Sequence, residues 1–242
     1  SPEEYGYSAE SNGMYGTMNG WYWQPGESDA KYTSGGWFWH SGEKVMGNER
    51  LFQMYLETVG RNSTLILNCP PDKSGSLPTA TVEGLKEFGT TLKKRLGGTN
   101  YALTADDVQA SEERTAGQGR SFSIANAMDG DSLTYWATND GTLSGTITFH
   151  WKTAQPIRYV MLQEHIKLGQ RVKAFTIETS NDGVNWNKRG GNIKTTTIGY
   201  KRIIPLNGST SDSYSNAQSV KYLRVRITDS RACPTLENIA LY

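Results

Sequence analysis

The 242 residues hold only two cysteines and three histidines, no apolar run approaching about 18 residues, and no surplus of either charge, with 25 Lys plus Arg against 24 Asp plus Glu. Each scarcity excludes something. Cys69 and Cys233 lie far apart and belong to no CxxC or Cys/His cluster, so neither a zinc site nor a disulfide framework is supported, and a single long-range disulfide is the only bridge left open. His40, His150 and His165 have no Ser/Asp or Cys motif around them, and no Gly-rich phosphate loop joins a strand to a helix, which argues against nucleophilic Ser or Cys chemistry and nucleotide binding. Balanced charge argues against a nucleic acid or an anionic membrane as partner. The chain has neither an initiator Met nor a basic-then-apolar leader, and Ser1-Pro2-Glu3-Glu4 reads as a cut inside a longer chain.

Aromatics are plentiful instead. Four of the seven tryptophans, Trp21, Trp23, Trp37 and Trp39, fall in the first forty residues, in a Gly, Tyr and Ser rich stretch with little helical period. From Asn48 the spacing of Leu51, Phe52, Tyr55, Leu56 and Val59 predicts an amphipathic helix of about three turns, stopped at Gly60. Thr64-Leu65-Ile66-Leu67-Asn68, closed by Pro70-Pro71, reads as a strand buried on both faces. Val82, Leu85, Phe88, Leu92 and Leu96 share one face of a second helix, whose last turn carries Lys93, Lys94 and Arg95 and which Gly97-Gly98 ends. Strand, helix, strand, helix over residues 36 to 97 is the rhythm of an α/β layer, yet far short of the roughly 250 residues that a closed barrel needs. The expectation is the tail of a larger domain.

After Asn100 the composition turns to β. Ile147, Phe149 and Trp151 alternate with polar residues, Tyr222 to Ile227 repeat the pattern, and Asp129-Gly130-Asp131, Asn181-Asp182-Gly183 and Asn207-Gly208 supply turns. About eight short strands predict an all-β sandwich of the jelly-roll kind. The sequons at Asn62 and Asn207 are weak signals, because Asn62 precedes a buried strand where a glycan has no room.

Three motifs in order, Ala127 to Trp136, Arg171 to Glu178 and Ser180 to Trp186, resemble the discoidin, or factor 5/8 type C, galactose-binding-like domain. The resemblance implies a structural calcium held by Asp129, Asp131, Thr134 and Glu237, a donor set of oxygens suited to a hard cation; read from the residues alone, the Asp-Gly-Asp stretch is simply a turn. Family members bind galactose-type sugars through loops at one end of the sandwich. No such constellation stands out here, and Trp136 and Trp186 read as core.

Trp23-Gln24-Pro25-Gly26-Glu27-Ser28-Asp29, Gly36-Trp37-Phe38-Trp39-His40, Val59-Gly60-Arg61-Asn62-Ser63, Leu65 to Asp72 and Leu85-Lys86-Glu87-Phe88-Gly89 follow one another in an order that resembles the end of the catalytic barrel of an α-L-fucosidase of glycoside hydrolase family 29. Leu162 to Ile166, Gly169 to Val172 and Thr197 to Ile203 resemble the sandwich appended to many of these enzymes.

The implied organisation is residues 1–99 as the C-terminal segment of a (β/α)8 barrel and residues 100–242 as the discoidin-like sandwich. It places Gly36 to His40 and Leu65 to Asn68 on the last barrel strands, facing the active site. The implied activity is exo-acting, retaining hydrolysis of terminal α-linked fucose, of the α-1,3/1,4 type, in a secreted or periplasmic enzyme without a catalytic cofactor. Trp21, Trp23, Trp37 and Trp39 would stack on the sugar, with Glu27 and Asp29 accepting its hydroxyls, although Trp37 and Trp39 also suit packing in the barrel wall. The nucleophile belongs to a strand upstream, so the partner is the missing N-terminal barrel segment, and Glu4, in Glu4-Tyr5-Gly6, is the one stretch that could correspond to the acid/base, at a short spacing from Trp23 and with Glu3 or a plain terminal loop as the other reading. The chain departs from the family at Thr33-Ser34-Gly35-Gly36, where an Arg-Pro is usual, which leaves linkage preference open. The competing reading is a non-catalytic carbohydrate-binding protein whose sandwich takes galactose-type sugars.

Overall fold

The computed structural model describes residues 26–117, 119–190, 197–208 and 217–242. Its first part is β1 (Gly26–Lys31), α1 (Asn48–Glu57), β2 (Ser63–Asn68) and α2 (Thr79–Leu96). The strands pair in parallel, from Gly26 opposite Ser63 to Lys31 opposite Asn68. Parallel neighbours need a crossover, and α1 supplies it, burying Leu51, Phe52 and Leu56. Both helices form where apolar spacing predicts them. Tyr32 is buried against α2 at Gly84, where a Cβ would fall on its hydroxyl, and a Glu49–Arg95 ion pair ties the two helices.

Two expectations fail here. β2 is not covered on both sides, because Thr64 and Ile66 are exposed while Ser63, Leu65 and Leu67 are half-buried. Ile66 keeps 45% of its surface open to solvent. β1 alternates in step, with Glu27, Asp29 and Lys31 outward, so one face of the pair has no cover among the described residues. Gly36 to His40 is also not a strand: Gly36 has φ +110°, which breaks the extended run, and residues 32–46 fold back as a loop. A Thr33–Val45 bridge, Ser34 N–H to Lys44 O at 2.9 Å and Met46 N–H to Tyr32 O at 2.7 Å close its base.

The remainder is a sandwich. β3 (Asp107–Ala110), β4 (Arg114–Gly117), β5 (Arg120–Phe122), β6 (Trp136–Ala137), β7 (Gly145–Ile157), β8 (Tyr159–Gln163), β9 (Val172–Ser180), β10 (Asn187–Arg189), β11 (Arg202–Pro205), β12 (Gln218–Ser230), β13 (Thr235–Leu236) and β14 (Asn238–Leu241) follow, with short 3-10 turns as the sole helical elements among the described residues. An antiparallel five-stranded sheet, β10-β9-β12-β7-β3, accompanies a three-stranded sheet, β11-β8-β14, with two short pairs, β13-β6 and β4-β5. Alternation delivers the core: Ile147, Phe149 and Trp151 on β7 and Leu223, Val225 and Ile227 on β12 are buried together with Trp136, Leu162 and Ile239. Trp186 corrects its expected core role. It is half-buried, with the Arg224 guanidinium 3.9 Å above its ring. Cys69 and Cys233 are free thiols, which closes the question of a disulfide between them.

The two parts meet across an apolar seam of Phe52 and Leu56 from α1 with Tyr159 from β8 and Ile203 from β11, flanked by Phe88, Leu92 and Leu96 of α2. Beside it, backbone joins backbone. Ile203 N–H donates to Gly60 O at 3.0 Å, Asn62 N–H to Lys201 O at 3.1 Å, and Lys201 N–H to Asn62 Oδ1 at 2.8 Å. Asn62 takes a left-handed φ of +69°, which an Asn tolerates and which aims its side chain back at Lys201. Gly199, with φ +66°, lies so close that a Cβ would meet Asn62 Oδ1 at 2.6 Å. Gly199→Ala is therefore expected to cost about 1–3 kcal/mol through strain at φ > 0 and a displaced Asn62, read as a lowered midpoint in urea; an unchanged midpoint would show that this junction is not tight.

Candidate functional site

Carboxyl ends of parallel strands are where α/β folds place their ligands, since the loops there leave the sheet together. At that end of β1 the loop 33–45 carries Trp37, Phe38, Trp39 and His40 in succession. Trp37 is 50% exposed and Phe38 82% exposed, while Trp39 is half-buried. Two large rings thus stand side by side, open to solvent among the described residues. Loop Trp37 and Trp39 thus do not pack into a barrel wall as a strand pair.

Asn68, the last residue of β2, donates from Nδ2 to Trp37 O at 2.9 Å and so ties the loop to the neighbouring strand. Glu43 lies inside the base. One carboxylate oxygen accepts the Thr33 hydroxyl at 3.0 Å, and the other is buried with no partner among the described residues. Phe38 and Asn68 lie in segments expected to face the site but carry no expected role of their own, and Glu43 is not among the expected residues. Phe38 was legible in the aromatic run itself; the other two act through contacts that spacing does not reveal.

Glu27 and Asp29 point to the uncovered face of β1, with Asp29 two residues and Glu27 four residues from the strand's carboxyl end. At about 3.3 Å per residue, Asp29 is the closer to the aromatic loop. Glu4, Trp21 and Trp23 lie outside the described residues.

In the sandwich, Asp129, Asp131 and Thr134 occupy one turn and satisfy one another. Asp129 accepts Asp131 N–H at 2.8 Å and the Thr134 hydroxyl at 2.7 Å, and Asp131 accepts Leu133 N–H at 2.9 Å. Glu237 instead meets His165 Nδ1 at 3.1 Å, and that imidazole stacks on Tyr135 at 4.3 Å. No group of three or more His, Cys, Asp or Glu side chains suited to a metal occurs among the described residues. The structure thus brings Asp129, Asp131 and Thr134 together in one turn, with the Glu237 carboxylate lying against His165. Several rings of the sandwich are stacked on one side: His150 on Tyr222 at 4.3 Å, Tyr135 on His165, and Trp186 under Arg224.

The most unusual charge in the sandwich is Glu164, fully buried after β8. Its carboxylate accepts Arg171 N–H at 2.7 Å, Val172 N–H at 2.9 Å and Gly199 N–H at 2.6 Å. Burial pushes this carboxyl up to about 7, while the three N–H donors and the Arg171 charge pull the other way. One side chain thereby fastens the start of β9 and the 197–201 loop, and that loop holds Asn62 at the seam.

Residues 107–238 match the F5/8 type C domain family, and residues 4–96 match the alpha-L-fucosidase family. The rice protein named "Putative alpha-L-fucosidase 1" is 35% identical over 91% of this chain and 40% of its own length. Alpha-L-fucosidase 1 of Arabidopsis thaliana is 28% identical over 98% of the chain and 43% of its own length. Among solved structures, a Ruminococcus gnavus GH29 fucosidase in complex with fucose superposes with a TM-score of 0.80 at 30% identity, covering 94% of this chain and 43% of that one. The chain therefore spans less than half the length of each of these relatives. By its larger match the chain belongs to the F5/8 type C domain family, here joined to the C-terminal part of an alpha-L-fucosidase.

Proposed function

We propose that the chain is the C-terminal portion of a retaining, exo-acting α-L-fucosidase and that β1, α1, β2 and α2 are the closing units of its (β/α)8 barrel. The observation that carries this reading is the parallel β1–β2 pair, each strand followed by a helix, with Trp37 and Phe38 exposed at its carboxyl end. The uncovered face bearing Glu27, Asp29 and Ile66 suits the lumen side of such a barrel. The fucose named with the Ruminococcus relative supports the substrate class.

In retaining hydrolysis an Asp attacks the anomeric carbon and a second carboxylic acid protonates the leaving oxygen, the pair standing about 5 Å apart. The nucleophile comes from the barrel segment outside this chain, and Glu4 is the acid/base candidate within it. The chain's own contribution is binding: the aromatic loop takes the apolar face and methyl of the sugar and excludes water, and Glu27 and Asp29 accept hydroxyls. A fucosylated oligosaccharide of the α-1,3/1,4 type is the substrate, and the enzyme works outside the cytoplasm.

The test is fucose release from an aryl α-L-fucoside and a fucosylated trisaccharide by the polypeptide that carries this chain, with the product anomer followed by NMR. Release of the α-anomer first is expected. No release by a folded protein that binds galactosides instead would transfer the function to the sandwich.

A further inference from the structure

An exposed aromatic loop serves a ligand well only if it is held still beforehand, because ordering it on binding consumes affinity. Of the contacts that hold this one, two come from side chains with no other evident task. Asn68 reaches out from the end of β2 to the carbonyl of Trp37, the first exposed ring of the loop. Glu43 fills the space beneath Gly35, where a Cβ would fall on its Oε2 and press on His40 at 3.1 Å. Its carboxylate grips Thr33 with one oxygen and leaves the other buried without a donor among the described residues, a costly placement that an apolar filler would avoid. The geometry is that of a clamp, with Asn68 fixing the loop's tip and Glu43 with Thr33 its base.

We propose that Asn68 and Glu43 are positioning residues that preset the Gly36–His40 loop as a rigid platform for the apolar face of the sugar, with Phe38 as its outermost contact. The ligand in this inference rests on the fucosidase reading, whereas the clamp itself does not. Losing the clamp weakens ground state and transition state alike, so it raises KM and leaves kcat nearly unchanged.

The experiment has two arms. Backbone order parameters from 15N relaxation on the complete enzyme are expected near 0.85 at residues 36–40 in the wild type and below about 0.6 in Asn68→Asp and Glu43→Ala, with the sandwich unchanged and Glu43→Gln restoring order. In the complete enzyme, Asn68→Asp is expected to raise KM for an aryl α-L-fucoside about tenfold, with kcat within about threefold. Unchanged order in both variants overturns the clamp whatever the protein acts on. A loosened loop with an unchanged KM overturns its role in substrate binding. If the wild-type enzyme turns over no fucoside, the functional reading fails, while the order parameters still decide the clamp.

Discussion

Glu164→Ala is expected to lower the stability of the chain by at least about 3 kcal/mol, because two buried N–H groups and one partly buried N–H group lose their acceptor and each loss costs about 1–3 kcal/mol. The groups are those of Arg171, Val172 and Gly199, and no side chain other than Glu164 accepts from them among the described contacts. The same carboxyl sets a pH dependence. Its folded value of about 7 lies above the ordinary 4.5, so the folded state holds the proton more tightly than the unfolded chain does. Its stabilising contribution is then fully present below pH 4.5 and is lost as pH rises through about 7, amounting to about 3 kcal/mol across the window. Urea unfolding at pH 5 and pH 8 checks this: the wild type should lose stability between the two, and Glu164→Gln should flatten the difference. An equal slope in both proteins would assign the titration elsewhere.

Phe52→Ala should cost about 3–5 kcal/mol and separate the two parts of the chain in a thermal melt. Phe52 is 1% exposed, meets Tyr159 of β8 edge-on at 5.9 Å, and lies under the Arg95 guanidinium at 4.5 Å. It is therefore both a core residue of α1 and the anchor of the seam with Leu56 and Ile203. Calorimetry is expected to show one transition in the wild type and two in the variant, the sandwich melting near its original temperature. Leu103→Ala, at a leucine that is 63% exposed, should change nothing beyond about 0.5 kcal/mol. A single unshifted transition for Phe52→Ala would mean that the seam carries no coupling.

The sequence announced the elements whose apolar period is strong. α1 and α2 begin and end close to where Leu51, Phe52 and Leu56 or the Lys93-Lys94-Arg95 turn place them, and the β7 and β12 alternation is the sandwich core. β1 was hidden because Gly-Glu-Ser-Asp-Ala-Lys has no large apolar residue: one face is uncovered among the described residues, and the other carries only Gly26, Ser28 and Ala30. Trp37 and Trp39 imitate strand alternation, yet Gly35-Gly36 turns the chain into a loop just before them. Asn62, Glu164 and Gly199 were visible as parts of recurring motifs, but their joint task needs residues 60–62, 164 and 199–203 brought together, which no local period encodes. The aromatic richness of the loop was readable; the clamp of Asn68 and Glu43 beneath it was not.

If this chain supplies the aromatic wall of a fucose site, kcat/KM of the complete enzyme with Trp37 and Phe38 both replaced by Ala measures that role most directly. Both rings are exposed, so the double variant should fold with an unchanged midpoint. The predicted result is a fall of about a hundredfold on an aryl α-L-fucoside, equivalent to about 3 kcal/mol of lost contact. A folded double variant whose kcat/KM stays within about threefold of the wild type would contradict the account.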